Sequence, residues 1–504
     1  MNRRDFIKQA GCSAMGSTTL LSTLTSLGAV NGAVSGNLSN TKSSEDYKAL
    51  VCILFSGGMD SFNTLIPYGT TVGGDNGFNE YKAVRSDLAI QTVSSLWKLN
   101  STQCTGFRGL PCNYSSFGVH PSMQGVSQLF NTGKLAFMSN IGTLVEPVMN
   151  KTEYESGLKK LPLGIYSHSD QIMQWQTSVP QSRDALGVGG RLADLLNASN
   201  THQEVSMNIS LNGKNTFQRG KNVAEYAISN NVDPGNVGVS PLPSWWSNTG
   251  SITDLRNSSV DSLVSKVYAN LLQKTYSTTT KNTIASFDIF KEALKRVPSI
   301  TTAFPTTNLA KDLLAVAKVM SVRNDLGAKR QTFFINYGGW DMHDNLVNGM
   351  TNQLTVVSQA LKAFYDATTE LGIADNVTTF TISDFGRTIT SNGLGADHAW
   401  GGNTMVMGGA VKGGKIYGAF PKMNVTSNPQ NISFRGNFIP SISTDEMYAE
   451  LALWYGVSPY DLCYVLPNLR NFYTYSPNNY PVGFMNFSAT AISNIDRPQS
   501  CLTY

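Results

Sequence analysis

Ala49-Leu50-Val51-Cys52-Ile53-Leu54-Phe55 contains no polar residue and stops at Ser56-Gly57-Gly58. A strand apolar on both sides is buried on both faces, as in a parallel sheet covered by helices. Residues 331–337, with Thr332, Phe333, Phe334 and Ile335, form a second such segment that ends at Gly338-Gly339. A third, β-branched segment at 377–382 ends at Ser383-Asp384. Between them Leu354, Val357, Leu361, Phe364, Thr368 and Leu371 recur at helical spacing, and Gly372 supplies the stop. Strand, helix and strand at these lengths make a βαβ unit. The pattern therefore predicts an α/β fold, a mostly parallel sheet sandwiched by helices.

From about residue 194 to 321 the periodicity gives way to Asn, Ser and Thr, with helical patches at 260–273 and 284–294. This segment reads as a helical insertion in a domain spanning 48–472, with a C-terminal extension over 473–504. Glycine pairs at Gly408-Gly409 and Gly413-Gly414 suggest a turn or hairpin and carry no phosphate-loop pattern.

The N-terminus changes the picture. Arg3-Arg4-Asp5-Phe6-Ile7-Lys8 precedes a weakly apolar stretch rich in Gly, Ser and Thr. That arrangement matches a twin-arginine export signal over residues 1–33, with a polar linker at 34–47. The expected location is the periplasm, the cell surface or the extracellular space. No run of about 18 strongly apolar residues exists to span a membrane. Cys104 with Cys112 and Cys463 with Cys501 are candidate disulfides for that compartment, the alternative being free thiols. Cys52 reads as a buried thiol. No Cys-x-x-Cys occurs, which disfavours a zinc ribbon.

Only 14% of residues are charged, and 38 Lys+Arg against 34 Asp+Glu leave a net charge of +4. An average soluble domain carries roughly 25%. A nucleic-acid partner is excluded as the basis of function, since no basic block exists beyond the first residues. Scarce charge also makes its placement informative. In open α/β sheets the ligand crevice lies at the carboxyl ends of the strands. Asp60 and Ser61 follow the first strand, Asp341 and His343 the second, Asp384 and Arg387 the third, and Asp397-His398 come soon after. His168, one of only five histidines, follows Ser167 at a helix start.

Asp341-x-His343 has ligand spacing for a divalent cation. With Asp60, Asp384 and Asp397 there are enough carboxylates to balance two such ions. In Asp397-His398 one residue would ligate and the other orient it. Each motif alone has a structural alternative: a capping Asp beside a satisfied His, or Arg387 paired with one of these Asp residues. Otherwise Arg387, placed near a helix N-terminus, would hold an anionic ester group or transition-state charge. His120 reads as a cap or a site residue, and His202 as solvated surface. There is no Gly-x-Ser-x-Gly elbow, Walker loop or dinucleotide fingerprint.

Taken in order, several motifs resemble one known family. They are the twin-arginine signal, Phe55-Ser56-Gly57-Gly58-Met59-Asp60-Ser61-Phe62-Asn63, His120-Pro121, Ser167-His168, Gly338-Gly339-Trp340-Asp341-Met342-His343, Ser383-Asp384-Phe385-Gly386-Arg387-Thr388 and Asp397-His398-Ala399-Trp400-Gly401-Gly402. The chain from Met1 to about Phe472 resembles the exported bacterial family called domain of unknown function 1501. The resemblance implies a distant relation to the alkaline phosphatase and sulfatase superfamily, with one or two divalent ions (Zn, Ca, Mg or Mn) at strand ends. By position Asp60, Asp341, His343, Asp384 and His398 resemble the metal-binding set, with Asp397 and His168 as further candidates. Asp384 stands where the family commonly has Glu, and Ala399 where Gly is common. Ser61 and Ser167 are the candidate nucleophiles, and no sulfatase-like Cys-x-Pro-x-Arg motif is present. The implied function is an exported metal-dependent hydrolase of phosphate or sulfate esters. Its substrate would be a small ester or a sulfated or phosphorylated polymer. The alternative is a non-catalytic surface protein that keeps the fold and assembles as a homo-oligomer, filament or layer.

Overall fold

The apolar run at 49–55 lies within β1 (Lys48–Phe55), near the middle of a sheet with ten strands among the described residues. The computed structural model describes residues 47–487 except 71–73, 75, 101–102, 231–265, 267–285 and 477. Ala49, Val51, Ile53 and Phe55 enter one core, and Leu50, Cys52 and Leu54 the other. Successive side chains of a strand face opposite sides, so a strand covered on both faces reads as a continuous apolar run.

The other long strands are β2 (Leu135–Gly142), β4 (Arg330–Asn336), β5 (Val377–Ser383) and β6 (Gly402–Gly408), with a short β3 (Asn208–Ser210). The order across the sheet is Gln103–Cys104, Lys415–Tyr417, β2, β6, β5, β1, β4, β3, Tyr226–Ala227, with Ile442–Ser443 also joining β2. β1 runs parallel to both neighbours, pairing Val51 with Thr379 of β5 and with Phe333 of β4. β6 is antiparallel to β5 and to β2. The expected architecture, a mostly parallel sheet between helical layers, is the one observed.

Helices α1 (Gln124–Asn131), α4 (Asn308–Ser321) and α5 (Leu346–Glu370) cover one face. Helices α2 (His168–Thr177), α3 (Val188–Leu196) and α6 (Thr444–Tyr455) cover the other. α5 buries Leu346, Met350, Leu354, Val357, Leu361 and Phe364. At roughly 1.5–3 kcal/mol for each side chain, this stripe is a large part of what holds that layer to the sheet. The helix begins two turns before the first residue that its apolar spacing marks, because Leu346 and Met350 continue the same stripe.

Two expectations change. The described ends of the 194–321 segment belong to the body of the domain: β3 pairs in parallel with β4, Ile209 against Phe333, and α4 packs into the core. Residues 286–294 are helical, whereas the patch at 260–273 lies, apart from 266, outside the described residues. The paired glycines frame a turn, with Val411 N–H donating to Gly408 O (3.3 Å), but not a hairpin. β6 and Lys415–Tyr417 lie on opposite sides of β2, a strand distant in sequence that separates them.

Cys104 and Cys112 form a disulfide, with their Cα atoms 5.7 Å apart. Cys463 is disulfide-bonded as well; Cys501 and the N-terminal signal lie outside the described residues. Cys52 is a buried free thiol. Among the described residues no helix is long and apolar enough to cross a membrane.

The C-terminal extension is tied into the core. Glu450, buried on α6, accepts the backbone N–H groups of Val482 (2.9 Å), Gly483 (2.6 Å) and Met485 (2.6 Å). Phe484 and Met485 are buried against the same layer. Replacing this carboxylate leaves buried N–H donors without an acceptor, which costs more than the bonds themselves contribute. Glu450→Ala should therefore lower the unfolding free energy by about 3 kcal/mol in urea denaturation followed by tryptophan fluorescence. It should also expose residues 482–487 to proteolysis.

Candidate metal centre

The carboxyl ends of β4, β1 and β5 lie side by side, and the loops that leave them pack against one another. Two glycines make this possible. Gly57 has φ +119°, and a Cβ there would stand 2.5 Å from the Asp341 nitrogen. Gly58 has φ +80°, and a Cβ there would stand 2.4 Å from the Phe385 ring. Any side chain at either position would push the loops after β4 and β5 away from the turn after β1.

Arg387, fully buried, joins these loops. Its Nε donates to Gly58 O (2.8 Å), and its terminal nitrogens donate to Ala396 O (2.9 Å), Gly57 O and Asp341 Oδ1 (2.6 Å). It forms an isolated antiparallel bridge with His398, so the expected helix N-terminus is not there. The chain turns straight back toward β6, and no helix intervenes.

Three imidazoles converge on Asp341. Its Oδ1 lies 3.1 Å from His343 Nε2, 3.5 Å from His168 Nε2 and 3.7 Å from His398 Nε2. The Nε2 atoms of His343 and His398 are 3.0 Å apart. The opposite side of each ring faces an acceptor. His168 Nδ1 donates to Asp384 Oδ2 (2.7 Å), and His398 Nδ1 to Tyr166 O (2.7 Å). His343 Nδ1 faces Asp397 Oδ1 at 3.7 Å. Tyr166 has φ +83°, an unusual conformation for a tyrosine that aims its carbonyl at His398. A proton held on Nδ1 leaves the Nε2 lone pairs of His168 and His398 free to take a cation beside Asp341.

Ligands about 2.0–2.1 Å from a tetrahedral cation stand about 3.3 Å apart. Asp341 Oδ1 stands 3.5 and 3.7 Å from the Nε2 atoms of His168 and His398, close to that value. His168 Nε2 is buried and has no hydrogen-bond partner. These residues fit a divalent cation. Among the described residues one group of His, Cys, Asp or Glu is gathered closely enough to hold one: His168, Asp341 and His398, with His343 beside it but not part of it.

The electrostatics agree. Burial raises the Asp341 carboxyl, but the Arg387 hydrogen bond and charge, with His168 and His343, bring it below the usual carboxylate range. Burial lowers His398, and Arg387 adds to that effect against the Tyr166 hydrogen bond, favouring the neutral imidazole a metal requires. Burial pushes Asp384 up, offset in part by His168 and by the Gly57 N–H at 3.0 Å.

Other candidate residues lie elsewhere. Asp60 pairs with Arg85, both buried, and Arg85 also donates to the carbonyls of Thr388 and Ile389 (3.1 Å each). Ser61, also buried, accepts the Asn403 N–H at 2.8 Å. Ser167 caps α2 through the Asp170 N–H (3.4 Å) and meets Ser169 Oγ (3.1 Å). Asp397 ion-pairs with Arg435 at 2.6 Å beside His343. Asp384 contacts His168 and Gly57, not the convergence point. Arg85, Arg435 and Tyr166 were not singled out in the sequence. Tyr166 was within reach as the neighbour of Ser167-His168, but nothing local marks either arginine.

A model of one protein family matches residues 47–436. The chain belongs to the family described as "Protein of unknown function (DUF1501)". His168, Asp341, His343 and His398 of this DUF1501 protein all lie inside the matched span. No curated protein matches the chain. Among solved structures it is similar to the lipoteichoic acid synthase LtaP from Listeria monocytogenes, at 8% identity and a TM-score of 0.28, covering 82% of this chain and 81% of that one. It is also similar to Ps i-CgsB, at 10% identity and a TM-score of 0.32, covering 82% and 73%. The complex of Ps i-CgsB with k-i-k-neocarrahexaose gives 0.30 at the same identity and coverage. Likeness this distant decides neither activity nor substrate.

His120, outside the cluster, accepts the Ser122 N–H through Nδ1 (3.1 Å), and burial lowers its pKa to about 4. An unfolded histidine titrates near 6.5, so between those values the unfolded chain binds the extra proton. Stability should therefore fall as pH drops from about 6.5 to about 4, by up to about 3 kcal/mol from this residue. His120→Asn should flatten that part of the profile in thermal denaturation at stepped pH.

Proposed function

We propose that this DUF1501 protein is an exported, metal-dependent hydrolase of phosphate or sulfate esters. The supporting observation is the gathering of His168, His398 and Asp341, whose ligand atoms all lie within 4.8 Å of one another, with Nδ1 of both imidazoles held by an acceptor. Two imidazole nitrogens and one carboxylate oxygen favour a borderline ion such as zinc over calcium or magnesium, which prefer oxygen donors. One ion is the better reading, because Asp60 is held by Arg85 away from the cluster.

A bound divalent cation supplies Lewis-acid polarisation of an ester oxygen. The chain's residues do the rest. Asp384 and the Tyr166 carbonyl fix the rotation and tautomer of His168 and His398. Arg387 keeps Asp341 ionised and in place. Asp341, Asp384 and Arg387 sum to −1, and a divalent cation brings the cluster to +1, which favours an anionic ester. The cluster opens to solvent, with the Asp341 side chain 50% exposed and that of His343 47%. Ser61 and Ser167 have their hydroxyls engaged elsewhere. The attacking oxygen therefore comes from water: its bond to phosphorus or sulfur forms as the ester bond breaks, and the proton that water gives up ends on the departing alkoxide. The Cys104–Cys112 disulfide supports export, since such bonds persist in oxidising compartments.

Titration of the full chain with zinc should show about one equivalent bound. Asp341→Ala and His398→Ala should weaken binding at least about 100-fold, and Asp384→Asn about 10- to 100-fold. Turnover of p-nitrophenyl phosphate or sulfate should vanish with chelator and with Asp341→Ala. A folded protein that binds no cation and cleaves neither ester, but forms ordered polymers, would be the assembly protein instead.

A further inference from the structure

A second opening, a cavity of about 460 Å³, lies at the carboxyl ends of β3 and β4. Its polar lining consists of Asn212, Asn230, Asn308, Asn336, Asp312 and Tyr337. The volume is within the range of small-molecule sites. Asn336 ends β4, and the same chain runs on through Gly338-Gly339 to Asp341, so the cavity shares the sheet edge that carries the candidate metal centre.

A count of its hydrogen-bonding groups shows what it lacks. Asn212 Oδ1 accepts the Asn336 backbone N–H (2.6 Å), and Asn230 Nδ2 donates to Asp312 Oδ1 (2.8 Å). The remaining polar atoms make no hydrogen bond within the described protein: Asn212 Nδ2, Asn230 Oδ1, Asp312 Oδ2, and the whole side-chain amides of Asn308 and Asn336. Donors and acceptors are thus interleaved around one space. The Tyr337 hydroxyl is bound to Gln353, so its ring rather than its hydroxyl is what it offers the cavity.

No Lys, Arg or His lines the cavity, and Asp312 is nine-tenths buried in its wall. A phosphate or sulfate would meet a carboxylate with no cation to balance it. A hard divalent cation would find a single carboxylate, Asp312, beside neutral amide oxygens. Vicinal hydroxyls, which donate and accept within one short span and carry no charge, match the lining. We propose that this cavity binds the neutral, hydroxyl-rich face of a saccharide. The site stands independently of the metal reading; if both hold, the ester cleaved is one carried on a sugar.

The test is calorimetric titration of the full chain with maltohexaose, cellohexaose, mannohexaose and galactotetraose, and separately with sodium sulfate and calcium chloride. At least one neutral oligosaccharide should bind at millimolar concentration or below. Asn308 and Asn336 are both exposed, so Asn308→Leu and Asn336→Leu should fold normally by circular dichroism, yet weaken that binding at least about tenfold. Asp341→Ala should bind the same sugar unchanged even where it abolishes turnover, which separates this site from the metal centre. The proposal is overturned if none of the four sugars binds. It is equally overturned if both leucine variants bind as the parent does, or if only sulfate or calcium binds in a way that these substitutions abolish.

Discussion

One buried guanidinium sets the geometry of the strand-end edge. Arg387 donates to the carbonyls of Gly57, Gly58 and Ala396 and to the carboxylate of Asp341, so a single side chain fixes the relative positions of loops from three strands. A buried positive charge is tolerated only when its donors are satisfied and an anion is near. Asp341 provides the anion, and the carbonyls satisfy most of the remaining donors. The same demand therefore places Asp341 where the three imidazoles meet. The glycines at 57 and 58 serve this arrangement too, since any Cβ there would hold the loops apart.

The low charge of the chain acquires a physical meaning in this setting. With 14% charged residues, the protein has few ions to place. Several of those it has lie in buried or half-buried pairs: Asp60 with Arg85, Asp341 with Arg387, Asp397 with Arg435. Two of these pairs brace the loops around the imidazoles, and the third locks the turn after β1 to the backbone of Thr388 and Ile389. The Asn-rich remainder supplies neutral hydrogen-bonding surface, and the cavity beside β4 is where several such side chains face one another without partners.

Much of the fold was legible in the chain. Strand β1 announced itself because burial on both faces favours the unbroken apolar run from Ala49 to Phe55, and α5 because one apolar stripe runs along most of its length. Elements whose partners are distant were not legible. β3 is three residues of Asn, Ile and Ser, without a pattern of its own, and exists because β4 offers it an edge. The separation of β6 from Lys415–Tyr417 by β2 is likewise a long-range pairing that local glycines misrepresent. At the site, Asp341-x-His343 and Asp397-His398 drew attention through residue type and position. The ion pair that draws Asp60 to Arg85 could not be read, because residue 85 is an ordinary basic residue at the end of a helix.

What the sequence determined by itself is the set of groups available: two hydrophobic layers around a parallel sheet, five histidines, and carboxylates placed just beyond strand ends. Periodicity and residue type are local properties, and burial acts on them locally. Which carboxylate faces the imidazoles, which one orients a ring, and which is neutralised by an arginine was decided by the tertiary structure alone. Asp60, Asp341 and Asp384 occupy equivalent strand-end positions in the chain, yet one pairs with Arg85, one meets three Nε2 atoms and one holds His168 by Nδ1. Those differences are distances of a few ångströms between residues far apart in sequence, and Coulomb and hydrogen-bond energies depend on those distances rather than on position along the chain.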